Sequence, residues 1–449
     1  MDPVLEKYAH ALVPRYTSYP TAPHFNGSVG SERYRHWLAE LDPSVPISLY
    51  LHVPFCRLMC WYCGCNMKLA SRYGPLSNYL SILLKEIDLI ADALPAKMRV
   101  THLHWGGGTP TSLEPDDLER AMARVHKRFE IEAGAELAIE SDPRTLTDEM
   151  IERIGALGFN RASFGVQEFD PKVQEAINRV QPPEMVRWAV EALREVGVGG
   201  GNFDLIYGLP YQSADSLAGT IDLCAEMRPD RVALFGYAHV PWMAKNQRMI
   251  PEEALPDGRA RFEQASRAAE AWREVGYHEI GLDHFAHPDD PLARAAADGT
   301  LRRNFQGYTT DVADTLIGIG ATSIGRTPSG YVQNIHETGA WSRAVEAGEL
   351  PISKGLAFRG DDLARATIIE QLMCNLRVDL AKITRDFDQP NGHFASDLAR
   401  LAPMVEDGFL SIDGDILQIE ERGRPLIRCV AAAFDAYLES SKARHSRAV

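Results

Sequence analysis

Short β-rich runs alternate with longer amphipathic segments through the first half of the chain. The predicted strands are Ile47–Val53, Arg99–Trp105, Leu137–Ser141, Asn160–Val166, Gly201–Tyr207 and Arg231–Tyr237. Between them, apolar residues recur at helical spacing in Asn78–Ala93, Asp116–Phe129, Asp148–Leu157, Pro183–Val196 and Ser213–Met227. Six β-α units in succession predict an α/β fold with a parallel sheet covered by helices. Periodicity leaves open whether the sheet is doubly wound or curved like a barrel, and both place ligands at the carboxyl ends of the strands.

The segments outside this alternation have other patterns. Residues 1–46 are rich in Pro and Tyr around Pro14–Pro23, which predicts an N-terminal arm or lid. Residues 47–355 form the α/β domain with an extension. Residues 356–449 are mainly helical, but Phe409–Ile412 and Ile416–Ile419 flank Asp413-Gly414-Asp415, a good hairpin turn, and a last helix is predicted from Arg424 to about Leu438. This order predicts a small, mainly helical, winged-helix-like C-terminal domain.

Composition and charge limit the classes of function. The 449 residues are 45% hydrophobic and 24% charged, which predicts a folded protein with a sizeable core. The net charge of −15 argues against nucleic acid as a partner, so an anionic ligand needs a local cluster of cations. No stretch approaches the roughly 18 uncharged apolar residues of a membrane span, and Met1–His10 has no apolar targeting core. We therefore expect a soluble, cytoplasmic protein.

Four of the seven cysteines lie within ten residues, directly after the first predicted strand. These are Cys56, Cys60, Cys63 and Cys65. Such clustering in a reducing compartment favours a metal centre over disulfides. Three thiolates on one short loop can hold three corners of a [4Fe–4S] cubane and leave the fourth iron open. Structural zinc is the alternative, although zinc sites usually take pairs of ligands from two separate loops.

The pattern Cys56-x3-Cys60-x2-Cys63 resembles the signature of the radical S-adenosylmethionine (SAM) enzymes. The likeness extends over nearly the whole chain through Tyr50–Cys65, His104–Pro110, Pro14–Ala22, Asn202–Pro210 and Asn304–Thr310. Together these segments resemble the oxygen-independent coproporphyrinogen III oxidases of haem and porphyrin biosynthesis. The resemblance implies a partial (β/α)6 radical SAM barrel with the N-terminal arm and the C-terminal domain as additions.

The resemblance also implies roles for particular residues. Cys56, Cys60 and Cys63 bind three irons of one [4Fe–4S] cluster, and SAM chelates the fourth iron. Cys65 lies outside this trio, so it has either a structural role or a role in hydrogen-atom traffic near a second SAM. We take Cys65 and Tyr50 as the catalytic candidates.

A larger set is implied to contact SAM, of which two molecules are expected. The set is Tyr50, Tyr62, Gly107, Gly108, Thr109, Glu140, Gln167, Arg179, Asp204, Ala238 and Ile324. The glycines let backbone approach a ligand, although a tight turn is the alternative. Glu140 suits ribose hydroxyls or an ammonium group, and its rival role is a satisfied structural ion pair. For the apolar and aromatic members, a place in the core is the alternative.

The implied reaction converts two propionates of coproporphyrinogen III to vinyl groups, giving protoporphyrinogen IX without O2. The implied partners are this tetrapyrrole, a low-potential flavodoxin- or ferredoxin-like electron donor and an unknown electron acceptor, and a monomer is expected. Candidate cations for the substrate propionates are Arg15, His52, His284, Arg302 and Arg303. One rival is a related haem-binding radical-SAM-like chaperone, which in general lacks the fourth cysteine and the arm. The other is a zinc-containing adaptor protein.

Overall fold

The computed structural model describes residues 3–438, and the chain divides into two units. The barrel unit consists of Asn26–Pro256 and Asp311–Ala357. The second unit is built from the described parts of Met1–Phe25, Asp257–Thr310 and Phe358–Val449.

Ten strands of the barrel unit belong to one sheet. In chain order they are β1 (Ile47–Val53), β2 (Arg99–Gly107), β3 (Glu130–Ser141), β4 (Arg161–Gln167), β5 (Gly200–Tyr207), β6 (Arg231–Gly236), β7 (Leu316–Ile319), β8 (Ile324–Thr327), β9 (Gly330–Asn334) and β10 (Ile352–Ala357). Their order across the sheet is β10-β9-β8-β7-β1-β2-β3-β4-β5-β6. Strands β1 to β6 pair in parallel, which confirms the predicted six-fold β-α alternation. Strand β7 adds a further parallel neighbour on the other side of β1, and β8 to β10 continue as antiparallel strands.

The described residues of the barrel unit form eight helices, and the five that were predicted lie close to their predicted bounds. The eight are Ser31–Ala39, Gly74–Ala93, Pro115–Arg128, Asp148–Ala156, Pro171–Ala176, Pro183–Glu195, Ala214–Met227 and Thr338–Glu346, with 3-10 turns at Pro110–Ser112, Lys245–Met249 and Glu252–Ala254. Within residues 3–438, no helix is both long and apolar enough to cross a membrane.

Successive side chains of β1 point to opposite faces of the sheet, and one of these faces is apolar and the other polar. Leu49 and Leu51 are buried on one face, whereas Ser48, Tyr50 and His52 lie on the other. In the register of the sheet, Tyr50 is paired with His104 of β2. The polar face of the sheet therefore carries groups capable of binding and acid–base chemistry, and the loops at the carboxyl ends of the strands border it.

The second unit combines helices with small antiparallel sheets. Its helices are Pro3–Ala9, Gly258–Glu274, Pro291–Asp298, Asp362–Asn375, Leu380–Asp386, Ala395–Glu406 and Ile427–Ala432, with 3-10 turns at Ala22–His24 and Glu421–Leu426. Its strands are His278–Ile280, His284–Ala286, Arg302–Asn304, Gly307–Thr309, Arg377–Asp379, Leu410–Asp413 and Ile416–Ile419. The last two form the predicted hairpin, and Gly414 in its turn has φ 58°. The last described helix is shorter than the predicted Arg424 to about Leu438, because a 3-10 turn occupies its first part and the helix ends at Ala432.

The N-terminal arm packs into the core of the second unit. Leu5, Val13, Tyr16 and Tyr19 are buried in one apolar cluster with residues from the C-terminal helices and hairpin. The Tyr16 hydroxyl donates to Oδ2 of Asp435 at 3.0 Å. The units therefore differ from the predicted division into 1–46, 47–355 and 356–449, because long-range packing joins residues 1–25 and 257–310 to the C-terminal segment.

Candidate active site

The four clustered cysteines lie on a loop at the carboxyl end of β1. Phe55–Cys56 pairs in parallel with Lys68–Leu69, so the two ends of the loop are held side by side. The backbone N–H of Ala70 donates to the carbonyl of Cys56 at 3.0 Å. The loop is therefore a closed structure in which three thiols arise from one short segment.

Two amides from a distant segment hold the backbone of this loop. Nδ2 of Asn246 donates to the carbonyls of Cys60, Trp61 and Cys63 at 3.1, 3.1 and 2.8 Å. Nε2 of the adjacent amide, Gln247, donates to the carbonyls of Tyr62 and Ala238 at 2.8 and 3.2 Å. Two predicted site positions, Tyr62 and Ala238, are thus joined through Gln247, which the sequence analysis did not single out.

The sulfur of Cys60 accepts hydrogen bonds from two buried guanidinium groups. Nη2 of Arg144 and Nη1 of Arg179 lie 3.2 and 3.3 Å from Sγ of Cys60. Asp142 contacts both arginines, with its Oδ2 at 2.6 Å from Arg144 and 3.4 Å from Arg179. Burial raises the pKa of Asp142, but Arg179 and Arg144 outweigh it and lower the pKa to about 2. The carboxylate therefore stays ionised and fixes both cations beside the thiol.

The thiols of Cys56 and Cys63 have different environments. Hydrogen bonding from Cys65 and the charge of Arg179 lower the pKa of Cys63 to about 7, against the opposing effect of burial. Burial raises the pKa of Cys56 to about 12, although the hydroxyl of Thr109 donates to its sulfur at 3.4 Å. The thiolate is the form that binds metal ions, and the interactions at Cys63 shift its pKa toward that form.

The glycine-rich segment after β2 lies directly against the cysteine loop. The N–H groups of Gly108 and Thr109 donate to the carbonyls of Val53 and Phe55 at 2.9 and 2.8 Å. Gly107 has φ +114°, and a Cβ there would lie 2.5 Å from the ring of His52. Close packing within the protein thus already requires glycine at this position, in addition to any approach by a ligand.

Glu140 lies at the centre of a group of polar side chains on the polar face of the sheet, the face that also carries Tyr50 and His52. Its Oε2 accepts the N–H of Gly107 at 3.0 Å, and its Oε1 lies 3.1 Å from Nε2 of His104. Burial raises the pKa of Glu140, but the interactions with His104 and Gly107 outweigh it and hold the pKa below its ordinary value. The Tyr50 ring stacks on that of His104, and its hydroxyl lies 2.9 Å from Nδ1 of His52. Glu140 is therefore a partnered carboxylate that stays ionised.

Gln167 and Arg179 lie together at the carboxyl end of β4. Gln167 has a left-handed backbone, with φ 67°, and its amide nitrogen lies close over Gly165. Nε of Arg179 donates to the carbonyl of Gly165 at 2.9 Å. Asp204 is paired with Gly165 in the register of β4 and β5, and burial together with the nearby Glu140 raises its pKa to about 7. The three predicted residues are thus neighbours.

The backbone of Ile324 lies near the polar side chains around Tyr50 and Glu140. It is the first residue of β8, and a Cβ on Gly318 would lie 2.6 Å from its carbonyl oxygen. Gly318 is paired with Tyr50 in the register of β7 and β1. The Tyr62 side chain, by contrast, packs against an apolar cluster that includes Val173 and Ile206.

Three of the candidate substrate cations have partners within the second unit. Nε of Arg302 lies 3.0 Å from Glu370, and the guanidinium of Arg303 is buried over the ring of Tyr308. His284 contacts Asp283 at 2.7 Å. In the barrel unit, His52 lies beside Tyr50.

The donor set fits an iron–sulfur cluster, because Cys56, Cys60 and Cys63 offer three thiols on one short loop. In a cubane each thiolate binds a different iron, so the ligands stand apart from one another. Three thiols on one loop, with two guanidinium groups beside one of them, match such an anionic cluster.

Comparison with known proteins identifies the family. The model of the radical SAM superfamily matches residues 50–224, and that of the HemN C-terminal domain matches residues 359–426. An oxygen-independent coproporphyrinogen III oxidase from Bradyrhizobium diazoefficiens is 48% identical over 443 residues, which cover 98% of each chain. The chain belongs to the oxygen-independent coproporphyrinogen III oxidases. It is therefore a radical SAM enzyme, with the α/β radical SAM domain and HemN-type C-terminal domain of that family.

Other members of the oxygen-independent coproporphyrinogen III oxidases agree. The relative from Paracoccus denitrificans is 43% identical, over 98% of this chain and 97% of its own. The solved structure of coproporphyrinogen III oxidase (HemN) from Escherichia coli, described as a radical SAM enzyme, has a TM-score of 0.92 at 39% identity and covers 97% of this chain and 99% of its own. The likeness therefore extends to the arm and the C-terminal segment as well as to the barrel.

Arg144 provides a test of the contacts to Cys60. Hydrogen bonds to a cluster's cysteine sulfur stabilise its reduced, more negative form. We expect Arg144→Gln to lower the reduction potential of the bound cluster, and Arg144→Lys, which keeps the charge, to lower it less. A redox titration followed by electron paramagnetic resonance measures both potentials. An unchanged potential in Arg144→Gln at full iron content would contradict the assigned contact.

Proposed function

We propose that this protein catalyses the oxygen-independent oxidative decarboxylation of two propionates of coproporphyrinogen III, giving protoporphyrinogen IX. The observation that carries the proposal is the complete cysteine loop, Cys65 included, in a chain 48% identical to a named oxidase over 98% of its length. The related chaperone in general lacks the fourth cysteine and the arm, so both features favour the oxidase.

In this proposal the three thiols bind the cluster, and the residues around them position the thiols and the cofactor. Cys56, Cys60 and Cys63 hold a [4Fe–4S] cluster, and Asp142 keeps Arg144 and Arg179 beside Cys60. When bound, the cluster and SAM together supply a 5′-deoxyadenosyl radical. Gly107, Gly108 and Thr109 place backbone next to the cysteine loop, where they orient the cofactor and exclude water.

The polar cluster around Glu140 receives the remainder of the cofactor. Its ionised carboxylate is suited to ribose hydroxyls or an ammonium group, and Tyr50 supplies an aromatic wall beside it. At each reacting propionate, one hydrogen atom leaves the β-carbon, one electron passes to an acceptor and the carboxylate leaves as CO2. A carbon–carbon double bond forms between the two remaining carbons, which gives the vinyl group.

We further propose that two SAM molecules bind in one barrel. One open iron would chelate one SAM, whereas the candidate contacts extend from Arg179 and Glu140 to Gln167, Asp204 and Ile324. Two propionates are oxidised, and each hydrogen abstraction consumes one radical precursor. In this proposal Gln167, Asp204 and Ile324 serve the second molecule.

The stoichiometry of SAM tests this proposal. Equilibrium dialysis is expected to give two SAM per cluster-loaded chain, and Gln167→Ala or Ile324→Ala is expected to reduce the number toward one without loss of iron. Saturation of the unaltered protein at one SAM would exclude the second site, even if turnover consumed two molecules in succession.

The remaining partners follow from the same chemistry. We propose that a low-potential flavodoxin- or ferredoxin-like protein supplies the electron, that a separate acceptor takes electrons from the substrate, and that the enzyme acts as a cytoplasmic monomer. Anaerobic incubation with coproporphyrinogen III, SAM, a limiting chemical reductant and a one-electron acceptor tests the activity. Protoporphyrinogen IX is the expected product, whereas tight haem binding without any decarboxylation would favour the chaperone.

A further inference from the structure

Five large apolar side chains are exposed around the cysteine loop. The exposed fractions are 44% for Leu58, 57% for Val180, 60% for Trp242, 77% for Met243 and 58% for Met249. Leu58 lies between Cys56 and Cys60 in the chain. Exposed apolar residues that occur singly need no explanation, but a group of them on one surface is typical of a binding site.

Hydrogen bonds fix the three segments that carry these side chains to one another. Nδ2 of Asn178 donates to the carbonyl of Met59 at 2.7 Å, and the N–H of Trp61 donates to the carbonyl of Ile177 at 2.9 Å. These bonds attach the Val180 segment to the loop next to Leu58. Asn246, which lies between Met243 and Met249, donates to three carbonyls of the same loop. The exposed side chains therefore belong to one region of the surface.

Two of the three segments are locally cationic in an acidic protein, whereas the Val180 segment carries Glu175 and Glu184 as well as Lys172. Residues 52–72 and 239–250 contain Arg57, Lys68, Arg72, Lys245 and Arg248 but no Asp or Glu, although the whole chain has a net charge of −15. Arg57 donates to the Ser112 carbonyl at 3.0 Å and Lys68 lies 3.8 Å from Glu337, so these two are partly engaged. Lys245 and Arg248 are exposed beside Trp242 and Met249.

We propose that this surface docks an acidic one-electron carrier protein. The docking surface consists of Leu58, Val180, Trp242, Met243 and Met249, with Lys245 and Arg248 at its cationic side. The inference rests on the proposed function, in which a reduced carrier gives up one electron to the cluster, with no bond formed or broken. Because Leu58 is exposed between two cluster ligands, a carrier seated here is separated from the cluster only by the loop itself.

Charge explains why a carrier would choose this surface. An acidic carrier is repelled by the protein as a whole, so a cationic patch next to the cluster both orients it and accelerates association. Exposed Trp and Met side chains are typical of protein interfaces, and Met adapts to partners of different shape. A tetrapyrrole substrate, by contrast, must reach the polar side chains around Tyr50 and Glu140 on the polar face of the sheet.

Charge reversal of Lys245 and Arg248 tests the proposal. The probe is chemically reduced flavodoxin, mixed anaerobically with the cluster-loaded protein, and the measured quantity is the rate of cluster reduction by stopped-flow absorbance. We expect Lys245→Glu/Arg248→Glu to slow reduction about tenfold or more at low salt and to flatten its salt dependence, because attraction becomes repulsion. A similar loss with an acidic ferredoxin would show that the surface responds to charge and not to the flavin.

Two controls make the result specific. Lys97→Glu/Lys127→Glu reverses two exposed charges that precede β2 and β3, at the opposite edge of the sheet, and is expected to keep the flavodoxin rate. Reduction by titanium(III) citrate, which needs no docking, is expected to be unchanged in all variants. Should the double reversal lower the iron content, Lys245→Gln/Arg248→Gln and Trp242→Ala test the same surface more mildly.

The outcomes separate this inference from the proposed function. Unchanged flavodoxin rates in the charge-reversed and Trp242→Ala variants would overturn the docking surface. A raised KM for coproporphyrinogen III with titanium(III) citrate as reductant would overturn it as well, because the surface would then belong to the substrate. Failure of the unaltered protein to decarboxylate with limiting titanium(III) citrate and an added one-electron acceptor would instead contradict the proposed function.

Discussion

Replacement of Cys56, Cys60 or Cys63 by serine is expected to remove the cluster and all decarboxylation. Serine offers a harder and much less acidic donor than a thiolate, and each of the three thiols has its own iron in the proposed centre. Loss of one corner therefore exposes the cluster to solvent and breakdown. Iron and sulfide analysis, the visible absorbance of the anaerobic protein and the yield of 5′-deoxyadenosine measure the effect.

Cys65 is expected to behave differently from these three residues. Its side chain is exposed on the same loop, and Cys65→Ser should keep most of the iron while turnover falls or disappears. Cys429→Ser, in the second unit, serves as the matched control and should keep both iron and activity. Equal loss of metal in all four loop variants, with zinc in the unaltered protein, would exclude the cubane.

Glu140→Gln is expected to weaken SAM binding by about 10- to 100-fold at unchanged iron content. A hydrogen bond to a charged group contributes about 1.5–3 kcal/mol, and 1.4 kcal/mol corresponds to a factor of ten in affinity. Glutamine keeps the shape of the side chain but removes the charge, and its amide donates where the carboxylate accepts the N–H of Gly107. Equilibrium binding of SAM to the cluster-loaded variant measures the loss.

Glu136→Gln is the control for a purely structural role on the same strand. Glu136 lies four residues before Glu140 in β3, and its carboxylate contacts Arg161 and Arg231 at 3.1 and 3.4 Å. Its replacement should lower the thermal stability yet leave SAM affinity unchanged. If Glu140→Gln behaves in the same way, the carboxylate is a structural partner of His104 and Gly107 and has no role at the cofactor.

The strands of the barrel could be predicted where apolar residues mark them. Strand β1 matches its prediction at Ile47–Val53, because buried Leu and Val alternate with polar residues there. Strand β3 begins at Glu130 rather than Leu137, since its first part is polar, contains Gly134 and has no apolar run. The place of the arm could not be predicted, because burial of Tyr16 and Tyr19 depends on partners at the other end of the chain.

In the candidate site, too, local motifs could be predicted from the sequence, whereas contacts between distant segments could not. The cysteines and Gly107–Thr109 are visible as local motifs, whereas the contact of Arg144 with Cys60 spans 84 residues and that of Asn246 with Cys63 spans 183. Asp142 and Arg144 carried a signal, since a charged pair directly after a buried strand lies at the ligand-binding edge of a parallel sheet. Nothing in the local sequence marks Asn246 or Gln247, because amides in a loop are common and only their partners reveal their role.

Abstraction of a propionate β-hydrogen by a 5′-deoxyadenosyl radical is tested most directly by following that hydrogen atom into the product. Coproporphyrinogen III carrying deuterium at the β-carbons of its reactive propionates is incubated anaerobically with the cluster-loaded enzyme, SAM, limiting titanium(III) citrate and a one-electron acceptor added after the cluster is reduced, and the products are analysed by mass spectrometry. The account predicts deuterium in the 5′-deoxyadenosine, with two labelled molecules for each protoporphyrinogen IX. Unlabelled 5′-deoxyadenosine, or decarboxylation that requires O2, would contradict it.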